Sequence, residues 1–145
     1  MAHVLVIDDD PAVRSVLGRM LRRAGHEVLE AADGATGIRL LHSHRVELAL
    51  VDIFMPGQGG LSTIPELRRD WPALKVVAIS GADQGGPMAL EKRATAHGAN
   101  AFLKKPFETS ELLAVIGRLL PTRPAPTSPE DRAPELNDGS QQDEP

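Results

Sequence analysis

Short apolar runs alternate with amphipathic stretches along most of the chain. Five of these runs have the length of strands and end at polar or turn residues: 4–7, 27–31, 48–51, 76–79 and 101–103. Three of the five runs are almost continuously apolar, as is typical of strands covered on both faces. Strands that alternate with helices favour a parallel sheet with right-handed crossovers and helices on both sides. The pattern therefore predicts an α/β fold with five strands and five helices.

The stretches between the runs have apolar residues at helical spacing. Asp10 and Pro11 open the first helix with an N-cap acceptor and a proline at the first helical position, and Gly25 ends it. The fourth helix, from Pro87 to His97, has the weakest pattern. The apolar positions that mark the five helices, in chain order, are Val13, Val16, Leu17, Met20 and Leu21; Ile38 and Leu41; Leu61, Ile64 and Leu67; Leu90 and Ala94; and Leu112, Leu113, Val115, Ile116, Leu119 and Leu120.

Composition changes sharply near residue 120. Residues 121–145 contain six of the twelve prolines and carry a net charge of −4, whereas residues 1–120 have no net charge. The last segment has too few apolar residues to offset the entropy lost on ordering. We expect a folded domain over 1–120 and a disordered, proline-rich acidic tail over 121–145.

Several classes of protein are disfavoured by what the sequence lacks. It has no cysteine, so a disulfide scaffold and a thiol nucleophile are excluded. The first residues do not form a signal peptide, and no apolar stretch is long enough to span a bilayer. No basic run indicates nucleic-acid binding, and the five histidines are scattered, so we expect them at the surface. We therefore expect a cytoplasmic protein that contacts neither membrane nor nucleic acid directly.

Polar side chains follow four of the five predicted strands. They are Asp8, Asp9 and Asp10 after the first strand, Asp52 after the third, Ser80 after the fourth, and Lys104 and Lys105 after the fifth. In open α/β sheets, ligands bind outside the carboxyl ends of the strands, where the strand order reverses. These residues should therefore converge at one rim of the sheet, although Asp10 is better explained as the helix cap.

The residue types at this rim indicate phosphoryl chemistry. Closely packed carboxylates repel one another unless a cation neutralises them, and Mg²⁺ prefers such oxygen ligands. A carboxylate held beside the ion can act as a nucleophile on phosphorus. An ammonium and a hydroxyl would then stabilise the remaining charge of the transferring group.

Four motifs together resemble the receiver domain of two-component response regulators. They are Val-Ile-Asp-Asp-Asp-Pro-Ala-Val-Arg at 6–14, Leu-Val-Asp-Ile-Phe-Met-Pro-Gly at 50–57, Val-Ala-Ile-Ser-Gly-Ala at 77–82, and Phe-Leu-Lys-Lys-Pro-Phe at 102–107. The resemblance covers residues 3–120 and is closest to the single-domain, chemotaxis-regulator type. It implies a flavodoxin-like, doubly wound sheet with strand order 2-1-3-4-5.

The resemblance also implies a role for each matching residue. Asp52 corresponds to the phosphoacceptor. The Mg²⁺ ligands would be Asp8, Asp9, Asp52 and the backbone carbonyl of Phe54. Ser80 and Lys105 would assist phosphoryl transfer, with Ser80 and Phe102 as the switch pair. Lys105 would precede Pro106 through a cis peptide bond, and Lys104 has no assigned role.

The implied function is that of a phosphoacceptor in signalling, not that of an enzyme. A histidine kinase or a phosphotransfer protein would supply the phosphoryl group, and the output would be contact with an unknown protein or onward transfer in a phosphorelay. Phe54 and Ala82 stand where relatives can carry side chains that orient an attacking water, so we expect slow self-dephosphorylation.

Two other functions remain open on the sequence alone. A receiver-like adaptor would bind partners without phosphorylation, but it would have no need of a complete acidic pocket. A phosphatase of the haloacid dehalogenase type would use Asp8 as its nucleophile, which leaves Asp52 without a role. The chain could also have been cut from a longer regulator at its proline-rich segment.

Overall fold

The computed structural model describes residues 2–53, 60–81 and 87–120. Strands and helices alternate throughout. Their bounds are β1 His3–Ile7, α1 Pro11–Arg23, β2 Glu27–Ala31, α2 Gly34–Ser43, β3 Leu48–Asp52, α3 Gly60–Asp70, β4 Lys75–Ser80, α4 Pro87–His97, β5 Ala101–Lys104 and α5 Thr109–Leu119. The predicted elements are all present, and each strand bound lies within one residue of its prediction. The predicted tail, 121–145, lies outside the described residues.

The five strands form one parallel sheet with the order β2-β1-β3-β4-β5, which confirms the predicted topology. Strand order reverses between β1 and β3, which lie side by side at the centre. Ile7 pairs with Val51 there, and Asp52 pairs with Ile79 on the next strand. Consequently the residues that follow β1 and end β3 reach the same rim of the sheet.

Both faces of the sheet are covered by apolar side chains. On one face, Leu17 and Leu21 of α1 pack with Leu112 of α5 against alternate strand residues. On the other face, Leu41, Ile64, Leu67 and Ala94 bring α2, α3 and α4 against the remaining strand residues. Because neighbouring residues of a strand point to opposite faces, both sets draw on the same strands. The aliphatic residues of the central strands β1, β3 and β4 are therefore buried, whereas several of those in β2 and β5 are only partly buried.

Two local features fix how α1 begins and ends. The Asp10 carboxylate accepts hydrogen bonds from the amides of Ala12 (2.9 Å) and Val13 (3.4 Å), and Pro11 occupies the first turn. Gly25 has a φ of +94°, a conformation that glycine adopts without strain.

Among the described helices, none is both long and apolar enough to cross a membrane.

Candidate functional site

The strand register brings three carboxylates together at the carboxyl rim of the sheet, the edge at which the strands end. Asp8 and Asp52 each lie one step beyond the paired residues Ile7 and Val51. One carboxylate oxygen from each of Asp8, Asp9 and Asp52 lies within 4.8 Å of the others. We call these three residues the acid cluster. Asp8 is 1% exposed and Asp52 is 5% exposed, whereas Asp9 is exposed to solvent.

The turn that carries the first two of these acids is held by hydrogen bonds from its own backbone. The Asp10 amide donates to Asp8 Oδ1 at 2.9 Å, and the Asp8 amide donates to the Ala31 carbonyl at 3.0 Å. Asp10 itself turns away, because its carboxylate caps α1. The structure thus separates Asp10 from the acid cluster, as its cap motif predicts.

Lys105 supplies a positive charge to the cluster. Its Nζ lies 3.2 Å from Asp8 Oδ2 and 3.5 Å from Asp52 Oδ2. The Lys105 amide donates to the Ser80 carbonyl at 2.9 Å, so the residue continues the pairing of β4 and β5 beyond their last pair. The peptide bond to Pro106 is cis, as predicted. Lys104, by contrast, is exposed.

Ser80 and Phe102 occupy the positions that the sequence predicts. Ser80 is the last residue of β4 and is 1% exposed. Phe102 pairs with Ala78 across the β4–β5 ladder and packs, partly buried, against the core on the α2, α3 and α4 side. The predicted metal ligand at the Phe54 carbonyl and the side chain of Ala82 both lie outside the described residues.

Arg14 also contacts this site, although its position in the sequence predicts no role of its own. Its Nη1 donates a 2.7 Å hydrogen bond to the main-chain carbonyl of Asp8, and its Nε lies 3.6 Å from Glu30 Oε1. The only hint in the sequence is the spacing of Arg14, Gly18 and Arg22 along one face of α1. Glu30 could not be paired with them before the register of β2 was known.

The chemistry of the acid cluster suits a hard divalent cation. All of its ligand atoms are carboxylate oxygens, which Mg²⁺ and Ca²⁺ prefer over nitrogen or sulfur. The three acids and Lys105 together carry a formal charge of −2 when all four are ionised, so a dication would balance them. The residues present therefore fit such an ion.

Comparison with known proteins gives a consistent result. The sequence profile of the response regulator receiver domain matches residues 4–117. Protein PilH of Pseudomonas aeruginosa is 34% identical over 122 residues, which are 83% of this chain and 98% of that protein. The DNA-binding transcriptional regulator NtrC of Azospirillum brasilense is 33% identical over 127 residues. The chain spans only about a quarter of that regulator's length (26%).

A solved structure adds a likeness in three dimensions. Response regulator TrrA of Thermotoga maritima, in complex with Mg²⁺ and a beryllium fluoride, superposes with a TM-score of 0.73 at 28% identity. The match covers 83% of this chain and 100% of that one. The sequence profile, which matches residues 4–117, includes all three residues of the acid cluster.

Proposed function

This chain belongs to the response regulator receiver domain family of two-component signalling, and from that premise we propose that Asp52 accepts a phosphoryl group. The observation that carries the proposal is the position of Asp52 beside an ammonium and two further carboxylates. Lys105 Nζ is 3.5 Å from its Oδ2, and one oxygen each of Asp8 and Asp9 lies within 4.8 Å. The phosphatase and adaptor alternatives have no comparable support.

Mg²⁺ is the cation that we propose for the acid cluster. Asp8, Asp9 and Asp52 would hold it, together with the Phe54 carbonyl that the family resemblance implies. The similarity to TrrA, whose structure contains Mg²⁺, supports this choice over Ca²⁺. When bound, the ion would neutralise the carboxylates and stabilise the oxygens of the transferring group.

The position of Lys105 beside Asp52 supports a direct transfer step. A carboxylate oxygen of Asp52 attacks the phosphorus of a phosphohistidine, forming an O–P bond as the P–N bond breaks. The electron pair of that bond stays on the histidine ring of the donor, so charge and atoms balance. Lys105, already beside Asp52, pairs with an oxygen of the new acyl phosphate, and the Ser80 hydroxyl donates to another.

The signal would then pass to a protein surface. The phosphoryl group draws the Ser80 hydroxyl inward, and the half-buried Phe102 follows into the space that is released. These movements shift the surface of α4, β5 and α5 from one conformation toward another, and a partner would bind the two conformations with different affinity. A histidine kinase or phosphotransfer protein would be the donor, and a cytoplasmic protein, not DNA, would be the target of this domain.

The test is phosphorylation by a small donor. The full chain is incubated with acetyl phosphate and MgCl₂, and its intact mass is measured beside those of Asp52→Asn and Asp70→Asn. We expect one added phosphoryl group on wild type and on Asp70→Asn, whose substitution lies on the surface of α3. Asp52→Asn should remain unmodified. Equal modification of Asp52→Asn, or a phosphoryl group located on Asp8, would overturn the assignment.

We also propose that the acyl phosphate is long-lived. Phe54 and Ala82 each lie two positions beyond a site residue, and neither side chain can hydrogen-bond an attacking water. After removal of the donor, the rate at which the magnesium-loaded protein loses its phosphoryl group should change little in Phe54→Ala or Ala82→Gly. It should accelerate in Phe54→Asn. Rapid loss from wild type would contradict the proposal.

A further inference from the structure

Arg14 reaches the backbone of the acidic turn from outside the acid cluster. The carbonyl that accepts its 2.7 Å hydrogen bond belongs to the peptide unit that links Asp8 to Asp9. Because a peptide unit is planar, fixing this carbonyl also fixes the direction in which the chain enters Asp9. Asp9 is exposed, so packing does not orient its side chain. The direction in which the Asp9 carboxylate points therefore depends on the backbone conformation at Asp9.

The guanidinium of Arg14 is itself held in place by Glu30 on β2. Glu30 Oε1 lies 3.6 Å from Arg14 Nε, and Glu30 Oε2 lies 3.3 Å from Arg22 Nη2. The side chains of Arg14 and Glu30 are only 20% and 30% exposed, so solvent screens this pair less than an ordinary surface pair. One carboxylate therefore ties two arginines of α1 to the neighbouring strand.

Gly18 provides the space for this arrangement. A Cβ atom at this position would lie 2.8 Å from Glu30 Oε2 and 2.9 Å from Arg22 Nη1, closer than a Cβ atom approaches its non-bonded neighbours. Positions 14, 18 and 22 are four residues apart and share one face of the helix. The glycine between the two arginines thus lets the carboxylate lie across α1.

We propose that Arg14 is a positioning residue for cation binding: by holding the Asp8–Asp9 peptide against α1, it sets how tightly the acid cluster holds Mg²⁺. The inference rests on the proposed function, because it presupposes a cation at Asp8, Asp9 and Asp52. The turn is fixed on two sides, since Arg14 holds the Asp8 carbonyl and the Asp10 amide holds the Asp8 carboxylate. Neither the Arg14 guanidinium nor the Asp10 amide is itself a ligand of the cation.

The sign of the effect separates positioning from simple electrostatics. The positive charge of Arg14 opposes the approach of a cation, so its removal should strengthen Mg²⁺ binding if charge alone matters. If Arg14 orients Asp9, its removal should weaken binding instead. Residues that orient metal ligands typically change affinity by 10- to 100-fold, and we expect about a tenfold higher dissociation constant in Arg14→Gln.

The experiment is an NMR titration of the full chain with MgCl₂ at constant ionic strength, which follows the backbone amide of Asp10. Arg22→Gln is the matched control, because it removes the same charge and the other partner of Glu30 but no contact with Asp8. Its dissociation constant should stay within about twofold of wild type, as expected for an exposed pair. Arg14→Lys keeps the charge but has a single donor nitrogen. Its Mg²⁺ dissociation constant should therefore lie between those of wild type and Arg14→Gln.

Urea unfolding without Mg²⁺ provides the readout that distinguishes a merely structural role. Such a role would lower the free energy of unfolding of Arg14→Gln and leave its dissociation constant unchanged. That result, or tighter Mg²⁺ binding, would overturn the proposal. If Arg14→Gln does not fold, the comparison of Arg14→Lys with Arg22→Lys decides in the same way.

The controls also separate this inference from the proposed function. One outcome would refute only the role of Arg14: wild type and Arg14→Gln bind Mg²⁺ equally well, and Asp9→Asn does not bind it. Wild type that shows no Mg²⁺-dependent shifts would refute both.

Discussion

Side-chain acceptors occur at both rims of the sheet, but the two rims use them differently. At the amino rim, where the strands begin, they accept hydrogen bonds from backbone amides. Ala2 donates to His26 Nδ1 at 3.1 Å, and Val76 donates to Asn100 Oδ1 at 2.8 Å. At the carboxyl rim, Asp8 uses one oxygen for the Asp10 amide and turns the other toward Lys105.

The difference shows what distinguishes a site from a well-capped strand end. At the amino rim, polar side chains complete the backbone ladder and so contribute to stability. At the carboxyl rim, charge accumulates beyond what the backbone requires, and Asp8 and Asp52 are buried close together. Since like charges that are kept out of water oppose folding, this arrangement supports the proposal that the acid cluster binds a cation. Substitutions at the two rims should therefore change stability and Mg²⁺ affinity in different combinations.

The largest effect on stability is expected from Lys105→Met at the carboxyl rim. This change leaves Asp8 and Asp52 without their shared ammonium, which should lower the free energy of unfolding by about 2 kcal/mol without Mg²⁺. The figure is below that for a fully buried pair because Lys105 is 25% exposed. Urea unfolding measures it, with Lys104→Met at the exposed neighbour as the control. Equal effects of the two substitutions would count against the pairing.

Asn100→Ala at the amino rim should have the next largest effect. It removes the acceptor for the Val76 amide and should cost about 1 to 2 kcal/mol of unfolding free energy. The Mg²⁺ dissociation constant should not change. Asn100→Asp retains an oxygen acceptor at this position and should recover most of the loss. If the aspartate variant is as unstable as the alanine variant, the hydrogen bond is not the cause.

Asp52→Asn should change stability in the opposite direction. Without divalent cations, the substitution removes one of three clustered negative charges while Lys105 keeps its contact with Asp8. We expect a gain of about 1 kcal/mol in the free energy of unfolding. The gain should shrink at high MgCl₂, since the ion should bind wild type more tightly than the variant and so stabilise it more. A less stable variant in the absence of Mg²⁺ would show that repulsion is not dominant.

The smallest effect is expected at His26. Burial, followed by the N-terminal positive charge, lowers the pKa of this histidine below 6.5. The unfolded chain therefore binds a proton more readily, so the free energy of unfolding falls as the pH drops through the ordinary histidine range. Protonation of Nδ1 also removes the acceptor for the Ala2 amide. Urea unfolding between about pH 5 and 8 should show a flatter profile for His26→Gln. An unchanged slope would refute this role.

Much of the fold could be predicted because apolar runs and strand lengths agree closely in this chain. The strands that exceed their predictions do so through polar terminal residues such as His3, Asp52 and Ser80. Backbone pairing continues there for one residue past the last apolar side chain, which no hydrophobic pattern can reveal. The weakly patterned α4 still has the predicted bounds, Pro87–His97.

The site could be predicted as far as it depends on residue types at strand ends. What could not be predicted depends on register. Arg14 and Glu30 meet only because β2 lies beside β1, and His26, expected at the surface with the other histidines, is half-buried against the start of the chain. This partial burial could not be predicted, because the partner of His26 is a backbone amide that no side-chain pattern indicates.

The separation in sequence between Lys105 and Asp8, 97 residues, has a consequence for biosynthesis. The pocket contains both residues only when the first and last strands have joined one sheet. Under the proposed function, a chain still emerging from the ribosome would therefore not accept a phosphoryl group before its final strand is made. Competence for phosphorylation would then require the whole domain to have folded, and fragments released by proteolysis would not be phosphorylated.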